Sequence, residues 1–332
     1  MQARKVRILG TGKYMPKRKI TASDMDELLG MPAGWVLKKT DVALRHFVED
    51  ETASYMGAQA AQAALAAANL SFADIDCLVC ASGSMEQPIP CTAVLIQKAM
   101  GEQESGVPAF DINSTCLSFV TALDVMSCLV DIGRYRRILI VSTEVASNAL
   151  NWQDKESAAL FGDGAAAVVI GRSEVGESSQ VICASMKTYS HGAHLSEVRG
   201  GGTKYHPREY TPLTENEFLF KMDGSAIFKM ASKLLPEFVA DLLKQASCSI
   251  ADISLVIPHQ GSAMAMRLLQ KKLGISDEQL IYITPDHGNT IAAAIPMGIH
   301  EAISQQRVNR GDRVLLLGTS AGLSLGGLVL EY

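Results

Sequence analysis

The sequence is short of several things, and each shortage closes a class of function. No run of about 18 apolar residues occurs, so nothing reads as a membrane-spanning helix. No long block of like charge occurs and the formal net charge is −5, so no nucleic-acid surface is expected. The seven cysteines are odd in number and irregularly spaced, which argues against a disulfide framework and for a reducing, cytoplasmic setting. Gly10-x-Gly12 lacks the third glycine and the following helix of a dinucleotide fingerprint. Cys77-x-x-Cys80 lacks a second pair at zinc-ribbon spacing, and the intervening Leu78 and Val79 make it a buried strand. His191, His194 and His206 have no carboxylate spaced to complete a ligand set, so no metal is expected. MQARKVRILGTG has too short an apolar run for a signal peptide and reads as a first strand.

What is present is a globular α/β pattern. A chain of 332 residues exceeds one ordinary core, so two domains or two fused halves are expected. Strands are expected at 5–10, 137–142, 161–171 and from 181, and helices over roughly 52–69 and 223–247. Residues 10–21 read as a loop, and the Gly-rich stretch 191–213 as a long irregular one. LVIPHQGSAMAMRLLQKKLG parallels LVCASGSMEQPIPCTAVLIQKAMG as strand, loop and helix. ITPDHGNTIAAAIPMGIHEAI parallels FDINSTCLSFVTALDVMSCLV as strand, polar bend and helix. Such an internal duplication predicts two halves, 1–175 and 176–332, whose parallel strand ends converge on one site.

Three residues fall at the strand-to-loop junctions of that repeat: Cys116 in NSTC, His259 in IPHQ and Asn289 in HGNT. A thiol, an imidazole and an amide together suit nucleophilic acyl transfer. Cys116 stands where a strand turns into a helix, and the helix N-terminus is expected to lower its pKa. Taken singly, each has a plainer role as a buried small residue, a strand end or a helix cap. Their placement at equivalent points of a duplicated fold favours chemistry.

Along its whole length the chain resembles the β-ketoacyl-acyl-carrier-protein synthase III family of thiolase-like condensing enzymes. The resemblance rests on G-T-G-x-Y-x-P near the start, Trp35 with the Thr40 segment, AFDINSTC, FGDGAAA at 161–167, Pro-His-Gln at 258–260, HGNTIAAAIP at 287–296 and the final Gly-rich strand. It implies an α/β thiolase-like fold with βαβαβαββ halves in a five-layered αβαβα core. It also implies that Cys116 is acylated by an acyl-CoA, that His259 and Asn289 stabilise the enolate formed when malonyl carrier protein loses carbon dioxide, and that the N–H groups of Cys116 and Ala321 form the oxyanion hole. The same resemblance places Trp35, Lys39 and Lys155 at coenzyme A, and Lys229, Lys271 and Lys272 at the carrier protein. No cofactor is implied beyond these substrates, and the expected assembly is a homodimer. Ile89 falls at the gate that enters the partner's pocket. Ile89, Thr319 and Leu323, each smaller than the family's usual Phe or standing in its Gly-rich turn, imply a primer longer than acetyl, of medium chain. Met264 replaces a basic residue that usually meets the carrier protein. The alternatives are an acyltransferase or condensing enzyme of secondary metabolism, and a non-catalytic subunit of a heterodimeric synthase. The presence of Cys116, His259 and Asn289 together counts against the latter.

Overall fold

The computed structural model describes residues 3–332, so the first two residues of the MQARKVRILGTG segment lie outside it. The first sheet contains β1 (Val6–Tyr14), β2 (Cys77–Cys80), β3 (Ala109–Asp111), β4 (Arg137–Glu144) and β5 (Gly164–Arg172), in the order β1-β5-β4-β2-β3. The second contains β6 (Gln180–Thr188), β7 (Leu255–Pro258), β8 (Arg313–Ser320) and β9 (Ser324–Glu331), in the order β7-β8-β9-β6. In the first sheet β4 runs parallel to β2 and antiparallel to β5, and in the second β8 runs parallel to β7 and antiparallel to β9. The counterpart of β3 shrinks to a single parallel bridge, Val256–Leu280. The duplication in the sequence is therefore a duplication of topology.

Three helix layers enclose the two sheets. Helix α1 (Ala53–Ala67) and α2 (Thr92–Ala99) cover the outer face of the first sheet. Helix α3 (Ser118–Asp131), α4 (Gly224–Gln245), α5 (Ala263–Leu273) and α6 (Ala294–Ser304) complete the set. α3 and α6 lie between the sheets, burying Phe119, Leu123 and Met126 from one and Ile295, Met297 and Ile299 from the other in one shared core. α4 and α5 pack on the outer face of the second sheet. Each such buried aliphatic or aromatic side chain contributes about 1.5–3 kcal/mol, which accounts for the halves closing on a common centre.

α1 starts where Thr52 accepts a hydrogen bond from the Tyr55 N–H at 3.2 Å. Its small residues let it lie directly on β1. A Cβ on Gly12 would stand 2.2 Å from the Ala60 carbonyl oxygen, and one on Gly10 2.4 Å from that of Ala64. This close approach corrects the expected loop: β1 continues through Gly10–Tyr14, paired with Ala165–Val169 of β5. Those glycines serve helix-on-sheet packing. The long stretch 190–223 contains short turns and one two-residue ladder, Ser196–Glu197 with Lys221–Met222. No helix among the described residues is long and apolar enough to cross a membrane.

Candidate active site

The nucleophile stands on a tight turn, Thr115–Leu117, that leads into α3. Asn113 Oδ1 accepts from the Thr115 N–H at 2.8 Å, and Thr115 has φ 53°. Ser118 Oγ braces the turn, accepting from the Ser114 N–H at 2.9 Å and donating to the Ser82 carbonyl at 3.1 Å. The second half repeats the device ahead of α6. Asn289 Oδ1 accepts from the Ile291 N–H at 3.0 Å, and Ile291 has φ 50°. A β-branched residue at positive φ is strained, and such strain persists where the surroundings enforce it. The repeat thus pairs Asn289 with Asn113 and sets Ala292 opposite Cys116.

A pair of glycines brings the two halves together. Leu117, next to the nucleophile, fits into a slot on the second sheet. A Cβ on Gly318 would fall 3.1 Å from Leu117 Cδ2 and 2.9 Å from His259 Cβ, and one on Gly326 would fall 2.9 Å from Leu117 Cδ1. His259 is held there by its N–H donating to the Leu317 carbonyl at 2.8 Å. Asn289 is clamped to the first half, its N–H donating to the Leu160 carbonyl at 2.8 Å and its carbonyl accepting from the Gly162 N–H at 3.1 Å. Its side-chain amide donates to the Gly261 carbonyl at 3.4 Å, two residues from the imidazole. The N–H groups of Cys116 and Ala321 both face the Cys116 sulfur. Cys116, His259, Asn289 and Ala321 are therefore neighbours, although they come from four separate loops.

The electrostatics correct one expectation. Burial pushes the Cys116 thiol up to about 12, and the Glu144 charge adds to the effect. The two N–H groups at the helix start offset this only in part. Cys116 is a thiol at neutral pH. Burial also drives His259 down to about 4, so its imidazole is neutral, and no partner meets its Nδ1. Glu144, fully buried at the end of β4, is raised to about 7 by burial against four hydrogen bonds.

The remaining predicted residues lie outside this centre. Trp35 and Lys39 stand on the short helix Trp35–Thr40, and Lys155 opens the helix Lys155–Ala158. The two helices meet through Lys39 Nζ and Glu156 at 2.7 Å. Lys229 projects from the exposed side of α4, and Lys271 and Lys272 occupy the last turn of α5. Ile89 is 85% exposed, on the loop between β2 and α2. Thr319 is half-buried, and Leu323 is buried against Gly192.

Sequence reading missed Glu144, Leu117, Arg267 and Trp152. A carboxylate closing the apolar run RILIVST was the available signal for Glu144. Arg267, exposed one turn beyond Met264 and joined to Asp41 at 3.3 Å, restores a cation to that face of α5. Trp152 packs edge-on against Phe47 beside the Trp35 cluster. Among the described residues no cluster of three His, Cys, Asp or Glu is arranged to hold a metal.

Known proteins resemble the chain in sequence and in fold. The sequence model of a family described as 3-oxoacyl-[acyl-carrier-protein] synthase III matches residues 110–190, and that of its C-terminal part matches 243–332. The chain is 33% identical to the β-ketoacyl-[acyl-carrier-protein] synthase III of Aquifex aeolicus over 98% of this chain and 99% of the relative. The Aquifex crystal structure superposes with a TM-score of 0.89, covering 98% of this chain and 100% of that one. The Thiobacillus denitrificans synthase III is 34% identical over 98% of this chain and 99% of its own. The priming β-ketosynthase of the R1128 polyketide pathway matches with a TM-score of 0.89 at 25% identity, covering 99% of this chain and 96% of that one.

Proposed function

The chain belongs to the β-ketoacyl-acyl-carrier-protein synthase III family, and from that premise we propose how its own residues carry the reaction. It is an acyltransferase of the condensing type with a thiolase-like fold. The proposed substrates are an acyl-CoA primer and malonyl carrier protein. As the Cys116 sulfur attacks the acyl thioester, the neutral His259 takes the thiol proton. The bond from the carbonyl to the coenzyme A sulfur breaks, and coenzyme A leaves with that proton. The N–H groups of Cys116 and Ala321 hold the oxyanion at the acyl carbonyl. The malonyl thioester then loses carbon dioxide, and the electron pair of the broken C–C bond passes into an enolate. His259 and Asn289 donate hydrogen bonds to its oxygen. The enolate carbon attacks the acyl-Cys116 carbonyl and expels the thiolate, giving a 3-oxoacyl carrier protein.

The observation that supports this reading is the meeting of the three residues from both halves: Gly318 lets Leu117, next to Cys116, pack beside His259, and the Asn289 amide donates to the Gly261 carbonyl at 3.4 Å. Trp35, Lys39 and Lys155 stand on two short helices joined through Lys39 and Glu156, and would take the coenzyme A adenine and phosphates. Lys229, Lys271 and Lys272, with Arg267, present cations to an acidic carrier protein. A homodimer, with Ile89 entering the partner's pocket, is supported by the exposure of Ile89 and by the free edge of β3. A second reading, priming in secondary metabolism, draws on the R1128 likeness.

The test is to incubate the protein with acetyl-, butyryl- and octanoyl-CoA and weigh the Cys116 peptide, then add malonyl carrier protein. We expect retention of butyryl or octanoyl over acetyl and release of carbon dioxide. Absence of any acyl adduct would refute the enzyme reading, and acylation without carbon dioxide would favour simple transfer.

A further inference from the structure

Glu144 is the buried ionisable group at the centre that the mechanism above leaves without a task. It closes β4 at zero exposure, and no cation contributes to its environment. Instead its carboxylate collects donors from both halves. Gly83 N–H and Ala292 N–H reach Oε1, the latter at 3.4 Å, and Ser84 N–H at 3.1 Å and Ser84 Oγ–H at 2.5 Å reach Oε2. Those donors come from different halves of the chain. Gly83 and Ser84 begin the loop that leads to Ile89, and Ala292 follows the Asn289–Ile291 turn. Gly83 is itself wedged between the two strained turns: a Cβ there would stand 2.8 Å from Ile291 Cγ2 and 3.3 Å from the Thr115 carbonyl carbon. Fixing Gly83 and Ala292 to one carboxylate fixes the spacing of the turns that carry Cys116 and Asn289.

We propose that Glu144 is a positioning residue for the condensation, tying the Gly83–Ser84 turn to Ala292 and so holding the Cys116 and Asn289 turns at working distance. This rests on the condensing reading given above. The equivalent position in the second half is Ser320, next to the oxyanion donor Ala321, so the strap exists only on the first sheet. Its charge has a second consequence. The titratable groups that feel it are Cys116 and Cys80, and for both it favours the neutral thiol. An acylated Cys116 carries no such penalty, so the strap discourages the free thiolate and leaves the acyl-enzyme unaffected.

Glu144→Gln keeps the shape but presents an NH2 group to one set of donors and removes the charge. We expect the pH midpoint for Cys116 alkylation by iodoacetamide, read by mass spectrometry, to fall by about one unit. We also expect kcat for condensation to fall at least about 10-fold, with KM for acyl-CoA changing less than about 3-fold, because substrate contacts are untouched. An unmoved alkylation profile together with wild-type kcat would overturn the proposal. If this variant does not fold, Ser84→Ala decides: a kcat about 3-fold lower supports the strap, and an unchanged kcat overturns it. Alkylation needs no substrate, so failure of the strap is distinguishable from failure of wild-type acylation, which would instead sink the condensing reading.

Discussion

At the scale of single residues, the site relies on neutral groups. A helix start beside a cysteine suggests a thiolate, yet the half-buried setting of Cys116 outweighs two N–H donors and pushes the thiol up to about 12. His259, lowered to about 4 by burial, is neutral in the resting site, which leaves a ring nitrogen free to take the thiol proton transiently as the thioester is attacked and keeps a neutral donor for the enolate. Iodoacetamide should therefore label Cys116 slowly at pH 7 and steadily faster up to pH 10, as followed by peptide mass. A midpoint below pH 8 would contradict the burial argument. Asn289→Asp replaces an amide donor with an acceptor-only carboxylate. Malonyl decarboxylation should drop by about 100-fold or more, while Cys116 acylation stays within about 3-fold. Equal loss of both steps would show that Asn289 only holds the turn.

At the scale of elements, the centre depends on how a turn from one half seats on a sheet from the other. Leu117 is fully buried in the slot left by Gly318 and Gly326. Leu117→Ala should cost about 2–5 kcal/mol in a denaturant titration, because the slot cannot collapse between two strands. Gly326→Ala should cost about 1–3 kcal/mol by overpacking the same slot. Both should lower the acylation rate more than substrate affinity, since the displaced atom is the neighbouring sulfur. A variant with lost stability but unchanged acylation would separate Leu117 from the chemistry. None of this slot is visible in NSTCLSF, where Leu117 reads as the first residue of an apolar helix face.

At the scale of the whole molecule, two properties follow from what the fold buries and what it leaves open. His259 and His287 take protons near 6.5 in the unfolded chain but near 4 in the fold, where burial disfavours the cation. Between those values the unfolded chain binds more protons, so their contribution is present above pH 6.5 and is lost as the pH falls toward 4. Glu144 opposes them: at about 7 against an ordinary 4.5, it takes its proton first in the fold and adds stability as the pH drops across that window. His300, also lowered by burial, acts with the two histidines, and buried Asp163, raised by burial, acts with Glu144, so three histidines stand against two carboxyls. The thermal midpoint should fall between pH 7 and 5, and His287→Gln should flatten the fall; a flat or rising wild-type curve would contradict this balance. The second property is the free edge of β3, where Phe110 and Asp111 are exposed. If this edge forms the proposed dimer, Phe110→Lys should shift sedimentation toward the monomer, and an unchanged dimer would place the contact elsewhere.

The amino-acid sequence by itself showed the repeat, the order of most of its elements, and Cys116, His259 and Asn289 at its bends; the strand expected before Asn289 is instead the helical turn Thr284–His287. Those features are written in contiguous stretches, where periodicity and short motifs operate. The tertiary structure decided what depends on residues far apart. β1 runs to Tyr14 because β5, more than 150 residues later, supplies its partner and α1 its cover. The Cys116 thiol is pushed up, not down, because desolvation by residues from several elements and the Glu144 charge outweigh the helix start. Glu144 changes from the last residue of a strand to the strap between two turns because Ala292, 148 positions away, is folded against it. Burial and long-range hydrogen bonds belong to the folded arrangement, and no local pattern carries them.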